Sequence, residues 1–156
     1  MFILKKINQL ILSLYNMYKK IKKKIFGWYY FRNTTVRIHG KIRLRSKKCV
    51  TVGDNCALNE GVMIDPGNSL IIGRNVIISA NTLILGSDFS ASSPTRHQYG
   101  SIVIEDNVWI GAGSIILKNV HIRNGAIIGA GSVVTKDVPA RVMVAGNPAI
   151  IIKKIH

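Results

Sequence analysis

Residues 104–134 read IEDNVWIGAGSIILKNVHIRNGAIIGAGSVV, and Ile104, Ile110, Ile116, Ile122, Ile128 and Val134 recur at every sixth position. That interval fits neither the turn of an α-helix nor the two-residue alternation of a long strand. Apolar and polar residues alternate for two or three positions, as in a strand, and the chain must then turn before the next copy begins. Three such sides close a triangular coil of about 18 residues, and stacking coils at the strand spacing of about 4.8 Å aligns the aliphatics into interior columns. The stretch predicts an all-β solenoid, a parallel β-helix of hexapeptide repeats.

The same register holds further back, at Ile72, Ile78 and Ile84 and, before a two-residue insertion, at Val52, Leu58 and Ile64. Two positions ahead of the aliphatics stand mostly small or β-branched residues, among them Cys56, Val76, Thr82, Ser114, Ala126 and Ser132. Glycine often follows the aliphatic, as at Gly53, Gly73, Gly111 and Gly129, and Gly, Asn and Asp suit corners that require φ > 0. A sandwich of ordinary strands would not keep a six-residue register through consecutive turns. Between Ile84 and Ile104 the register is lost in GSDFSASSPTRHQYGS, a polar excursion loop at 86–101. Loops of this length are usually functional or mobile.

The 156 residues suffice for one domain with a core, and 47% apolar content excludes a disordered chain. The formal charge of +15 is confined to one end. Residues 1–48 hold fourteen Lys and Arg and no Asp or Glu, whereas 49–156 hold eight basic and seven acidic residues. With few aromatics and no reader motif in the body, nucleic acid is not the expected partner. Cys49 and Cys56 form no disulfide framework and no metal-ligand spacing, which points to a reduced, cytoplasmic setting and no metal. No secretory signal is expected either, because the apolar segment after Lys5 and Lys6 is broken by Asn8, Gln9 and Asn16 and meets lysines.

The expected organisation is a helix at 1–31, a β-helix domain at 32–150 and a C-terminal tail at 151–156. Apolar residues at 3, 7, 10, 14, 17 and 21 give the first segment the period of an amphipathic α-helix, and Lys19, Lys20 and Lys22 to Lys24 make it basic. Two roles stay open for it. It fits an anchor lying on an anionic membrane surface, a peripheral contact at the inner face. It also fits a cap whose apolar stripe packs on the open end of the solenoid. A coiled coil between subunits is a weaker third, without clear charge pairing along three heptads.

The run NVWIGAGSIILKNVHIRNGAIIGAGSVVTKDVPARVMVAGNPA at 107–149 resembles the C-terminal signature of the left-handed β-helix hexapeptide-repeat acyltransferases, in the branch of maltose, galactoside and surface-polysaccharide O-acetyltransferases. The likeness covers roughly residues 50–150. It implies an acetyl-CoA-dependent O-acetyltransferase acting on a sugar of a surface polysaccharide, a lipopolysaccharide or a lipid-linked precursor. It also implies a homotrimer with sites between subunits, in keeping with the outward register of Trp109. By the same resemblance Ala112 and Ala130 touch the cofactor through backbone, with the Ala112 N–H as oxyanion donor, and Thr135 and Lys136 meet its pantetheine and phosphate end. Asn59 matches a sugar-binding Asn, and Asp65 lies within a residue or two of its acidic partner.

A sugar hydroxyl needs a general base as it attacks a thioester, and histidine is the natural choice. Relatives carry that His early in the loop, where this chain has Ser87, Asp88, Phe89 and Ser90. Of the four histidines, His39 precedes the clear repeat, His121 lies on a strand side and His156 ends the chain, which leaves His97 in the loop. The expected base is therefore His97 oriented by Asp88, or Asp88 itself. The absent early His also keeps open a β-helical assembly module with a decayed site. A metal-dependent carbonic anhydrase, another chemistry on this fold, would need three converging histidines, and His39, His97 and His121 are not spaced for it.

Overall fold

The computed structural model describes residues 9–18, 21, 25, 31, 35–90 and 93–155. From Arg37 onward the chain visits three parallel sheets in rotation. The first face stacks Arg37–Ile38, Ala57–Leu58, Ile77–Ile78, Trp109–Ile110, Ile127–Ile128 and Val142–Ala145. Arg43–Leu44, Met63–Asp65, Leu83–Leu85, Ile115–Leu117 and Val133–Val134 make the second, and Val50–Val52, Ser69–Ile72, Ser101–Ile104 and His121–Ile122 the third. The chain turns from face to face in the same order each time, which is the three-sided coil that the six-residue period requires.

Register pairing puts each aliphatic above its predecessor. Ile38, Leu58, Ile78, Ile110, Ile128 and Val144 form one column, and Ile64, Ile84, Ile116 and Val134 belong to the second. Val52, Ile72, Ile104 and Ile122 form the third. These side chains are buried, most of them completely. Each contributes about 1.5–3 kcal/mol by leaving water. The small-residue row also points inward, and its polar members are satisfied: the hydroxyls of Ser114 and Ser132 donate to the Gly129 carbonyl at 2.9 and 2.7 Å, and that of Thr82 donates to the Ser79 carbonyl at 2.9 Å.

The corner glycines divide into two kinds. Gly113 and Gly131 have φ of 66° and 68°, the left-handed geometry expected of a turn. Gly111 does not; a Cβ there would stand 2.5 Å from the Ala130 nitrogen of the next coil. Its role is close approach between coils, a distinction that the six-residue pattern did not reveal.

The 86–101 excursion is a β-hairpin. Ser87–Ser90 pairs antiparallel with Ser93–Tyr99. It is pinched at its base, where the Gly100 N–H donates to the Gly86 carbonyl at 2.8 Å. Gly67 packs directly on that neck, so the two strands leave and rejoin the coil at one point. The expected tail is also ordered, since Ile150–Lys154 pairs antiparallel with Val142–Ala145.

Residues 9–18 are helical. Within the expected apolar stripe Leu10, Leu14 and Met17 are more than half exposed. The stripe over these residues therefore does not pack on the end of the coil, and the capping role fails for them. Phe31 does pack against the core. The lysine cluster at 19–24 apart from residue 21, Trp28, Tyr29, Tyr30 and His156 lie outside the described residues.

Neighbours on one strand give a direct check of the columns. Ile72 is 2% exposed and Ile71 48%. Ile72→Ala is expected to lower the unfolding free energy by about 2–5 kcal/mol, and Ile71→Ala by under about 1 kcal/mol, in urea titrations followed by circular dichroism.

Candidate active site

Each turn from the first face to the second begins with equivalent residues. His39, Asn59, Ser79, Gly111 and Gly129 follow the buried aliphatics, and Gly40, Glu60, Ala80, Ala112 and Ala130 come next. This corner holds a cleft of about 580 Å³ lined by residues from His39 and Gly40 at one end to Ala112 at the other, with Asn59, Glu60, Ser79 and Ala80 between. Its floor is kept low by small residues. At Gly40, with φ of 92°, a Cβ would meet the Glu60 Cβ at 2.6 Å, so the glycine is what lets the Glu60 side chain lie over the coil. The Asn59 amide nitrogen donates to the Ile78 carbonyl at 3.1 Å, which fixes the side chain along the corner. Trp109 is half exposed, as its register implied, and its Nε1 donates to Ser79 Oγ at 3.1 Å.

Of the residues singled out from the sequence, Asn59 and Ala112 meet in this cleft. Ala130 is the next corner residue, exposed like Ala112 and tied to it by the Gly131 N–H, which donates to the Ala112 carbonyl at 2.8 Å. Among the described backbone bonds between coils, the N–H groups of Gly111 and Gly113 are used and that of Ala112 is not. Thr135 and Lys136 are exposed at the far end of Val133–Val134, one side of the triangle away.

His97 and Asp88 belong to the hairpin, which leaves the coil at a different corner, between the second and third faces. Asp88 pairs with Gln98 and Phe89 with His97, so Asp88 and His97 point to opposite faces of the hairpin. Asp88 is therefore not the group that orients His97. Its carboxylate lies 4.0 Å from Lys118 Nζ, which donates to Gln98 Oε1. His97 instead stands among aromatics, with ring centroids 4.3 Å from Phe89 and 6.0 Å from Tyr99. All three rings are exposed.

Asp65 does not converge with Asn59 within one chain. It sits at the other end of the second face, where Arg45 Nη1 and the Ser87 hydroxyl both donate to its Oδ2, the former at 2.9 Å. Partial burial, the largest single influence, works to raise its pKa. The bonds from Ser87, Arg45 and the Gly67 N–H outweigh it and hold the carboxyl below its usual range. Here Asp65 braces the root of the hairpin. His39, by contrast, was set aside in the sequence because it precedes the clear repeat, yet it lines the cleft one coil from Asn59. The signal that would have found it is its spacing: Ile38 to Leu58 is the same twenty-residue step as Leu58 to Ile78.

Two further pairs clamp the corner between the third and first faces. The Asn124 N–H is the largest influence on Glu105 and lowers its pKa; desolvation opposes it, and the bond to His121 Nε2 at 2.6 Å helps keep the carboxyl below its usual range. Asp106 is held down by the Arg74 backbone N–H at 2.7 Å and then by its guanidinium at 2.9 Å.

Residues 101–136 match the family model described as bacterial transferase hexapeptide (six repeats). A maltose O-acetyltransferase from Clostridium difficile 630 superposes with a TM-score of 0.77 at 32% identity, over 82% of this chain and 72% of that one. This chain belongs to the hexapeptide-repeat acetyltransferases. Another member, a hexapeptide-repeat containing acetyltransferase of Vibrio cholerae O1 biovar eltor complexed with acetyl coenzyme A, superposes with a TM-score of 0.76 at 26% identity, over 88% of this chain and 78% of that one. The serine acetyltransferase of Buchnera aphidicola subsp. Schizaphis graminum is 37% identical over 118 residues, 72% of this chain and 44% of that protein. The chain spans about half the length of the first curated relatives it matches, between 44% and 56%.

The three depressed carboxyl pKa values set an acid limit on stability. The unfolded chain takes up protons near the ordinary carboxylate pKa of about 4, whereas the folded chain resists until lower pH. The stabilisation from Asp65, Glu105 and Asp106 is thus complete above that range and lost as pH falls through it toward the folded values. Urea midpoints should fall between pH 5 and pH 3, and Asp65→Asn, less stable at pH 7, should show the shallower fall.

Proposed function

We propose that this chain transfers the acetyl group of acetyl-CoA to a hydroxyl of a sugar, in a surface polysaccharide, a lipopolysaccharide or a lipid-linked precursor. The observation that carries the reading is the meeting of Asn59 and Ala112 in one cleft, polar on one side and lined by small residues on the other. The Vibrio cholerae relative crystallised with acetyl coenzyme A and the Clostridium difficile relative named for maltose support the donor and the class of acceptor. In this reading the coil winds left-handed. The pantetheine arm lies along the corner at Ala112 and Ala130, and Thr135 and Lys136 take its far end. The Ala112 N–H stabilises the oxyanion. Asn59 holds the acceptor, and Asp65 contributes only if its bonds to Arg45 and Ser87 open.

The base is His97. Since the hairpin leaves from another corner, its imidazole serves the cleft of an adjacent copy, within a homotrimer whose subunit contacts use the exposed Phe89, Tyr99 and Trp109. Asp88 is kept as an alternative base on the opposite face of the same hairpin. Titration calorimetry with acetyl-CoA should show binding, and Ala112→Lys should abolish it by filling the corner. Free thiol released in the presence of sugar acceptors reports turnover, and His97→Ala should lower kcat about 10²–10⁴-fold with acetyl-CoA affinity unchanged. Binding with no turnover on any acceptor would favour the decayed module.

We also infer a cytoplasmic location with the 1–31 segment resting on the inner face of the membrane. The apolar residues of the described helix are open to solvent, and the first 48 residues carry fourteen cations and no anion. No helix among the described residues is long and apolar enough to cross a bilayer. The full chain should sediment with vesicles containing anionic lipid and not with neutral ones. High salt should weaken that binding.

A further inference from the structure

The neck of the hairpin is built from Gly67, Gly86 and Gly100, which have no side chains to resist a swing of the two strands. Side chains of the coils on either side supply that resistance. Leu85, from which the hairpin departs, stacks between Asp65 of the preceding coil and Leu117 of the following one. From the preceding coil, Asp65 accepts from the Ser87 hydroxyl and from Arg45. From the following coil, Lys118 Nζ donates to Gln98 Oε1 at 3.1 Å and stands 4.0 Å from Asp88 Oδ2. A Cβ on Gly100 would stand 3.0 Å from the Lys118 Cβ, so the glycine lets the lysine stem cross directly over the neck. The Lys118 side chain is only 19% exposed, its stem covered and its ammonium delivered to the hairpin.

The hairpin's register tells what these contacts accomplish. Asp88 lies opposite Gln98 on one face, whereas Ser87 with Tyr99 and Phe89 with His97 lie on the other. Lys118 therefore grips the first face and Asp65 the second, and the two strands are held from both sides just beyond the neck. Gln98 adjoins His97 in sequence, and Asp88 adjoins Phe89, whose ring centroid is 4.3 Å from that of the imidazole. One ammonium thus ties both strands at the level of His97. We infer that Lys118 is a positioning residue for acetyl transfer: by fastening Gln98 and Asp88 to the coil, it sets the direction in which the opposite face presents His97. The inference rests on the reading of His97 as the base. Lys118 itself touches no reactant, and the Asp88 carboxylate serves the clamp. A base must come within hydrogen-bond reach of the acceptor hydroxyl, and a misplacement of about 1 Å can cost about a hundredfold in rate.

Amide hydrogen exchange on the full chain reads the clamp without any substrate. Lys118→Met should speed exchange across residues 87–99 at least about tenfold. Protection should be unchanged at Val103 and Trp109, whose N–H groups bond between coils. Gln98→Leu, a change on the exposed hairpin, should reproduce the effect, and Lys118→Arg, which keeps the cation and a donor, should not show it. Thiol release from acetyl-CoA with sugar acceptors reads the consequence. Lys118→Met and Gln98→Leu should lower kcat about ten- to a hundredfold at unchanged KM for acetyl-CoA, and Lys118→Arg should restore the native rate. In a His97→Ala background, Lys118→Met should cost nothing further. The inference is overturned if neither variant alters exchange in the hairpin, if exchange rises while kcat stays native, or if Lys118→Met lowers kcat equally with and without His97. Full turnover by His97→Ala alone, or none by the native chain, would instead remove the parent reading of the base.

Discussion

The structure depends on the parallel ladder of backbone hydrogen bonds that seats each coil on the last. Bonds such as Gly111 N–H to the Ile128 carbonyl and Ile77 N–H to the Val108 carbonyl, at 2.8 and 3.0 Å, fix the step between coils at a strand spacing. At that spacing each interior aliphatic rests on its equivalent, which is why the core is almost entirely Ile, Leu and Val. A shift by a whole hexapeptide would keep the interior columns filled while moving the later residues to another corner, whereas a one-residue slip would turn a whole side inside out. The tolerance for insertions follows from this. The extra residues after Asp65 and the hairpin after Gly86 both project at corners, where the ladder need not be continuous.

The same ladder turns sequence position into chemistry. A residue at one point of the hexapeptide lies beside its equivalents from the coils above and below, so a corner becomes a row of related side chains. Between the first and second faces that row runs from imidazole, amide and hydroxyl to glycine, and the adjacent row from glycine and glutamate to alanine. Polar groups therefore gather at the N-terminal end and open backbone at the other. The cleft lies where the two regimes meet.

The fold was legible because its signal is periodic and its core has one composition. Ile104 through Val134 sufficed to specify the columns, and Trp109 was correctly turned outward by register alone. The site was less legible, since its residues are set by corners and pairings. That the loop is a hairpin, with Asp88 and His97 on opposite faces, depends on which residue faces which across two strands, and a polar stretch carries no such register. Asp65 was expected beside Asn59 as a substrate-binding acid, and its bond to Arg45, twenty positions earlier, depends on a stacking of coils that its own neighbours in sequence do not reveal. His39 was overlooked because the first coil departs from strict hexapeptides, although its companions on the neighbouring coils keep the spacing.

The neck formed by Gly67, Gly86 and Gly100 has a consequence of its own. A carbonyl of each of the last two packs where a side chain on the first would be, so the excursion enters and leaves the body through a single narrow port. Whatever lies beyond that port contributes nothing to the columns and takes nothing from them. The protein is thereby modular at this point: a segment of different length or composition can be exchanged there while the prism underneath continues unaltered, and selectivity can diversify without renegotiating the scaffold.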